Sequence, residues 1–160
     1  ETEEMVGWAL RALAERPVGS RRVVELCAGS GAITAALSTE LGGVELSAVE
    51  LSPEAGAYLE RNLAGRGVRI ELGDMADALP DLDGAVDLVI VNPPRRGLGQ
   101  DLARTLEKSH ARHLIYSSCN VDSLARDLAA MPSLTAVEAR VFDMFPQTTH
   151  QEVMVLASRR

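Results

Sequence analysis

Short runs of strand length alternate with runs of helical period along most of the chain, and that alternation narrows the fold more than any other feature. Residues 86–91, apolar except for Asp87, form a run of the kind buried on both faces of a sheet. Further strand-like runs lie at 22–26, 44–50, 68–72 and 113–117. Helical periodicity fills 3–15, 32–41, 100–108 and 121–130. Ser52-Pro53-Glu54 starts another helix, with Ser as N-cap, Pro at the first helical position and an acid in the first turn. That helix runs to about Ala64 and stops at Gly65 and Gly67. Repeated β-α units predict an α/β domain with a mostly parallel sheet, helices on both faces and right-handed crossovers. The last third changes pattern: 134–143 and 152–158 are strand-like runs that predict an antiparallel hairpin.

A single domain follows from 160 residues, enough to bury a core without disulfides or metals. Aromatic residues make up only 3% of the chain, which excludes the stacking platforms of many single-strand binders. The net charge of −7 repels nucleic acid, so an RNA partner needs a local basic patch or another domain to attract it. Candidate patch residues are Arg95, Arg96, Arg104, Lys108, Arg112 and His113. No apolar run approaches the ~18 residues of a membrane span. The two cysteines, Cys27 and Cys119, lack metal-ligand spacing and are expected as free thiols of a cytoplasmic protein.

In a sheet of this kind ligands bind outside the carboxyl ends of the strands. Gly29, Glu50, Asp74, Asn92 and Cys119 all fall at or just after expected strand ends. A final strand running antiparallel to the rest would begin on that same rim, bringing Glu152 to it. Gly29-x-Gly31 between strand and helix lets backbone approach a ligand closely, and Glu50 has the spacing of an acid that bonds ribose hydroxyls. Position 34 is Thr, so the third glycine of a dinucleotide fingerprint is missing. Glu25-x-x-x-Gly29-x-Gly31 followed by an acid ending the second strand resembles class I S-adenosylmethionine-dependent methyltransferases. The resemblance implies a Rossmann-like seven-stranded sheet and S-adenosyl-L-methionine as cofactor. It implies Glu25, Cys27, Gly29, Gly31, Glu50, Leu51, Asp74, Met75, Asn92 and Pro93 as cofactor-site residues, with Gly73-Asp74-Met75 near adenine. Cys27 reads from its own setting as a small packing residue.

Cys119 ends an apolar run just before a helix, where the helix dipole favours a nucleophilic thiolate. Asn92-Pro93-Pro94 also occurs in amino-group methylases, but there an aromatic residue normally follows, and here Arg95 does. Three segments resemble the RNA uracil-C5 methyltransferase family: Asn92-Pro93-Pro94-Arg95-Arg96-Gly97-Leu98, Tyr116-Ser117-Ser118-Cys119-Asn120, and the stretch from Asp143 through Phe145-Pro146-Gln147 to His150-Gln151-Glu152. That similarity implies Cys119 as nucleophile and Glu152 as base, acting on uridine in tRNA or rRNA. Asn92 is expected beside them, and Arg95, Asn120 and His150 are candidate substrate contacts. Thiolate addition at C6 of uracil makes C5 nucleophilic, and a carboxylate then removes the C5 proton. The family usually has an acid where this chain has Asn92, and an amide hydrogen-bonds a pyrimidine without exchanging protons. The family's N-terminal RNA-binding module and a Phe-Gln segment are missing, so a catalytic-domain fragment or reduced homologue is expected. Two alternatives stay open: an amino-group methylase, and an inactive cofactor- or RNA-binding homologue.

Overall fold

The computed structural model describes residues 2–78, 86–143, 147–148 and 151–160, Ala76 and Asp77 by their backbone alone. The elements follow the alternation of the sequence: α1 (Thr2–Ala12), β1 (Arg21–Leu26), α2 (Ala32–Glu40), β2 (Val44–Glu50), α3 (Pro53–Leu63) and β3 (Arg69–Leu72). After these come α4 (Met75–Ala78), β4 (Leu88–Val91), α5 (Gln100–Lys108), β5 (His113–Ser118), α6 (Val121–Ala129), β6 (Leu134–Phe142) and β7 (Glu152–Arg159). Among the described residues seven strands form one sheet in the order β3-β2-β1-β4-β5-β7-β6. The first five in that order are mutually parallel, and β7 runs antiparallel to both β5 and β6. This is the α/β sheet and closing hairpin expected from the sequence.

Side-chain alternation along the central strands builds two apolar layers. Val89 and Val91 of β4 join Leu102, Leu106 and Leu124 from α5 and α6. Leu88 and Ile90 point the other way, to Met5, Trp8 and Leu13 of the N-terminal segment and to Ile33 and Leu37 of α2. The four residues of β4 are fully buried, as their unbroken apolar run requires. Ser52 caps α3 as expected, its hydroxyl accepting from Ala55 N at 3.3 Å.

Asp87, just ahead of β4, marks the amino-end rim of the sheet. It has no solvent exposure, and its Oδ2 accepts from Arg22 N at 3.0 Å. The Arg16 guanidinium lies 2.7 Å from Oδ1 without the alignment of a hydrogen bond, so the attraction there is Coulombic. Burial of an unpaired carboxylate is costly, which makes this contact a requirement of the fold. β5 also starts at this rim. Arg112 lies 3.8 Å from Asp87 and His113 shares a 2.9 Å hydrogen bond with Ser158. The expected basic patch is therefore split: Arg112 and His113 sit at one end of the sheet, while Arg95 and Arg96 sit at the other. His113 is half-buried, and burial followed by repulsion from Arg112 lowers its pKa.

Among the described residues β6 is one of the two edge strands of the sheet; there Val137 and Val141 are exposed and the register against β7 shifts between Ala136 and Glu138. Arg140 pairs with Glu4 of α1 and with Glu138, and its guanidinium lies 5.8 Å from the Trp8 ring centroid. We expect Asp87→Ala to lower the unfolding free energy by about 3 kcal/mol, because it strands the Arg16 charge and the Arg22 amide. Urea denaturation followed by circular dichroism measures the loss.

Candidate active site

The carboxyl ends of β1, β2 and β4 open on a cleft of about 550 Å³ lined by Cys27, Glu50, Leu51, Ser52, Met75, Asn92, Pro93, Pro94 and Arg96. Its volume falls within the roughly 300–1,000 Å³ typical of cofactor and small-molecule sites. Six of the expected cofactor residues form its wall: Cys27, Glu50, Leu51, Met75, Asn92 and Pro93. Asp74 instead faces a neighbouring hollow of about 270 Å³ that begins beyond β3. Glu25, Gly29 and Gly31 act from behind the wall.

Glu50 shapes the cleft through backbone contacts. Its Oε2 accepts from Gly29 N at 2.7 Å and its Oε1 from Ser52 N at 2.8 Å, so one carboxylate ties the β1 loop to the start of α3. Each oxygen keeps a second lone pair, which leaves acceptor capacity for hydroxyl groups of a ligand. Gly31 holds φ +78, and a Cβ there would lie 2.6 Å from Leu59 Cδ1, so only glycine fits between loop and α3. Gly31 is also the N-cap of α2, and no side-chain hydrogen bond caps it there. Glu25 performs that service from β1: its Oε2 accepts from Thr34 N at 2.9 Å and from the Thr34 hydroxyl. Burial raises the Glu25 pKa to about 7, with the Thr34 bonds opposing and Glu50 adding to the rise.

The two thiols sit in different parts of the fold. Cys27 sits in the left-handed region at φ +57, with its sulfur 3.3 Å from the Met75 thioether. Burial, reinforced by Glu50, pushes its pKa up to about 12, so it lines the cleft as a neutral group. Cys119 follows the last residue of β5 and precedes Asn120, the N-cap of α6, and is partly exposed. Both cysteines are free.

The register of β5 and β7 brings the second expected group to the same rim as Cys119. Ser118, the last residue of β5, pairs with Val153, so Cys119 and Glu152 are the next residues beyond that pair. By alternation Glu152 belongs to the face that carries Met154 and, across the pair, Ser117. Glu152 is buried, and Ser117 Oγ donates to its Oε1 at 2.7 Å. Asn92 follows Val91, which pairs with Tyr116, so it extends the same rim two strands from β7. Asn92 is exposed there.

The segment after Asn92 is held from α6. Asn120 Nδ2 donates to Arg95 O at 3.1 Å while its Oδ1 caps α6, and Arg126 donates to Arg96 O at 2.7 Å. Asp127, fully buried, accepts from Leu98 N at 2.6 Å and from the Tyr116 hydroxyl at 2.7 Å. Burial, then the bond to Asp127, raises the Tyr116 pKa. Gly97 passes so close that a Cβ would lie 2.3 Å from Asp127 Oδ2, at φ +82. Asn120, a candidate substrate contact in the sequence, is thus engaged in capping α6 and holding the Arg95 carbonyl. Arg95 is exposed at the rim. His150 lies outside the described residues. Ser52, expected only as a helix cap, Pro94, expected only as part of the Asn92-Pro93-Pro94 motif, and Arg96, expected as a patch residue, also form the cleft wall; the contact of Ser117 with Glu152 had no signal in the sequence beyond the segment that holds it.

The tRNA (uracil-5-)-methyltransferase family model matches residues 78–160, about half of the chain. This chain belongs to that family. A general methyltransferase-domain model matches residues 23–114, which carry the cleft. The 23S rRNA (uracil(747)-C(5))-methyltransferase RlmC of Halothiobacillus neapolitanus is 42% identical over 124 residues, covering 75% of this chain and 32% of that protein. Release factor glutamine methyltransferase of Streptomyces coelicolor is 48% identical over 94 residues, 59% of this chain and 34% of that protein. The chain spans only about a third of either relative. The Pyrococcus abyssi tRNA (uracil-54, C5)-methyltransferase, solved with S-adenosyl-L-homocysteine, superposes with a TM-score of 0.75 at 23% identity, over 98% of this chain and 38% of that one. That likeness establishes the class I methyltransferase fold.

The raised pKa of Glu25 has a defined sign. Between its unfolded value of 4.5 and its folded value of about 7 the native state holds a proton that the unfolded chain has lost. Stability therefore falls as pH rises through that window, by up to roughly 3 kcal/mol. Denaturant titrations from pH 4.5 to 7.5 should show this decline in the parent protein and a flatter profile in Glu25→Gln.

Proposed function

We propose that this chain is the catalytic domain of an S-adenosyl-L-methionine-dependent RNA methyltransferase that forms 5-methyluridine in rRNA or tRNA. The observation that most supports this reading is the β5–β7 register, by which a partly exposed cysteine just after β5 and a buried carboxylate starting β7 share the sheet rim on which a cofactor-sized cleft opens. Membership of the uracil-5 family and the relatives' action on 23S rRNA favour ribosomal RNA as the substrate class.

The cleft fits the cofactor. Glu50 accepts hydrogen bonds from ribose hydroxyls, and Leu51, 51% exposed at the cleft wall, offers adenine an apolar surface. Met75 and Pro93 complete that wall, and Gly29 and Gly31 keep the β1 loop close to the ligand. When bound, S-adenosyl-L-methionine supplies an electrophilic methyl group on a sulfonium.

Cys119 adds as thiolate to C6 of the target uracil, and the C5=C6 electrons move to C5 and the O4 carbonyl. Asn92 holds the pyrimidine edge through its amide, which donates and accepts but moves no proton. Once C5 is methylated, Glu152 removes its proton, the C5–H pair restores the double bond, and the C6–sulfur bond breaks with return of the thiolate. Arg95 and Arg96 present positive charge at the rim of an otherwise acidic chain and contact RNA phosphates. Asn120 positions the Arg95 backbone, and His150 adds a substrate contact. Two free thiols fit the reducing cytoplasm. Among the described residues no helix is long and apolar enough to cross a membrane.

A second reading, an amino-group methylase, is favoured by Asn92-Pro93-Pro94 and the likeness to the glutamine methyltransferase. It has no need of a thiol. With 23S rRNA transcribed to contain 5-fluorouridine, we expect a covalent protein–RNA adduct on denaturing gels. The adduct should persist in Glu152→Gln and vanish in Cys119→Ala. If Cys119→Ala retains more than about a tenth of the parent methyl incorporation, the amino-group reading replaces this one.

A further inference from the structure

We infer that Ser117 is a positioning residue for the proton-removal step, orienting the Glu152 carboxylate through the hydrogen bond from its hydroxyl. The inference rests on the uracil-C5 reading above and adds to it a role for a side chain paired with Met154, two residues along β7 from Glu152.

Three observations carry it. Ser117 is fully buried and Glu152 nearly so, and a buried carboxylate needs donors aimed at it. The Ser117 hydroxyl supplies one at 2.7 Å, across the strand pair rather than from a flexible loop. The pairing makes this contact diagonal, because Ser117 faces Met154, two residues from Glu152 on the same side of β7. A glutamate has three rotatable side-chain bonds. A hydroxyl fixed on a central strand selects among the resulting orientations and sets the plane of the carboxylate. Cys119 lies two residues past Ser117, in the turn between β5 and α6. The serine therefore supports the carboxylate from the buried strand, while the partly exposed thiol lies beyond the strand's end.

The consequence is specific to one step. Thiolate addition forms the Cys119 Sγ–C6 bond and does not use Glu152. Release requires a Glu152 oxygen to take the proton from methylated C5. The C5–H electron pair then becomes the C5=C6 double bond, and the C6–Sγ bond breaks with its pair on sulfur. The resulting carboxylic acid returns its proton to water. A carboxylate misplaced by an ångström slows such a transfer by roughly ten- to a hundredfold without touching addition.

Valine and threonine have the same shape, so Ser117→Val and Ser117→Thr share any packing penalty and differ in the hydroxyl. Single-turnover reactions with uridine-containing 23S rRNA transcript and S-adenosyl-L-methionine separate addition from release when adduct and free methylated RNA are followed together. We expect Ser117→Val and Ser117→Ala to accumulate adduct and release product ten- to a hundredfold more slowly. Ser117→Thr should restore release to within a few-fold of the parent. Equal impairment of the Val and Thr variants, or parent-like release by Ser117→Ala, overturns the positioning role while leaving the uracil-C5 reading intact. Absence of adduct from the parent protein with 5-fluorouridine RNA overturns both.

Discussion

Reversal of one strand organises the rim of this sheet. Parallel strands deliver only their carboxyl ends to the ligand side, so a group at the beginning of a strand would ordinarily lie at the far edge. Because β7 enters between β5 and β6 in the opposite sense, its first residue, Glu152, arrives level with the end of β5. A slip of one residue would turn Glu152 toward the α5–α6 layer. Hydrophobic pattern does little to prevent that slip, since Val153, Met154, Val155 and Leu156 are buried in unbroken succession. The register is pinned by polar contacts at the two ends of the strand. Ser117 holds the first residue, and Arg159 holds the last by donating to the carbonyls of Leu106, Glu107 and Ala111 at the end of α5.

Most of the architecture was legible because each element advertises itself locally. The all-apolar run that becomes β4, the Ser-Pro-Glu opening of α3 and the paired strand-like runs at the end needed no long-range information. Two local details were not legible. α4, at four residues, is shorter than any helical period can reveal. The β4 run was expected to begin at Val86, but Asp87 is drawn into a buried charge contact, and the strand begins at Leu88.

The site divides in the same way. Glu50, Met75, Asn92 and Pro93 were found because strand ends and loop motifs have fixed spacing. What the sequence could not reveal was which polar side chains are consumed by the protein itself. Asn120 looked like a substrate contact, yet its amide is occupied at both ends by α6 and by Arg95. The arginines at 112 and 95 looked like parts of one patch until the length of β5 separated them. Asp127 stood in the sequence only as part of the helical stretch after Cys119, because its partners at Leu98 and Tyr116 are brought to it only by folding. Through Asp127, Arg126 and Asn120, the wall of the cleft and the turn bearing Cys119 rest on one helix and its cap.

The outer strand raises a different matter. Among the described residues β6 pairs on one side only and carries two outward valines, which is the usual recipe for strands of separate molecules to zip together. The irregular pairing near Ala136 twists that border out of plane, and the alternation of Glu138 and Arg140 along it places charge wherever an incoming strand would have to lie flat. The same residues that fasten α1 to the sheet thereby protect the molecule against fibrous self-association.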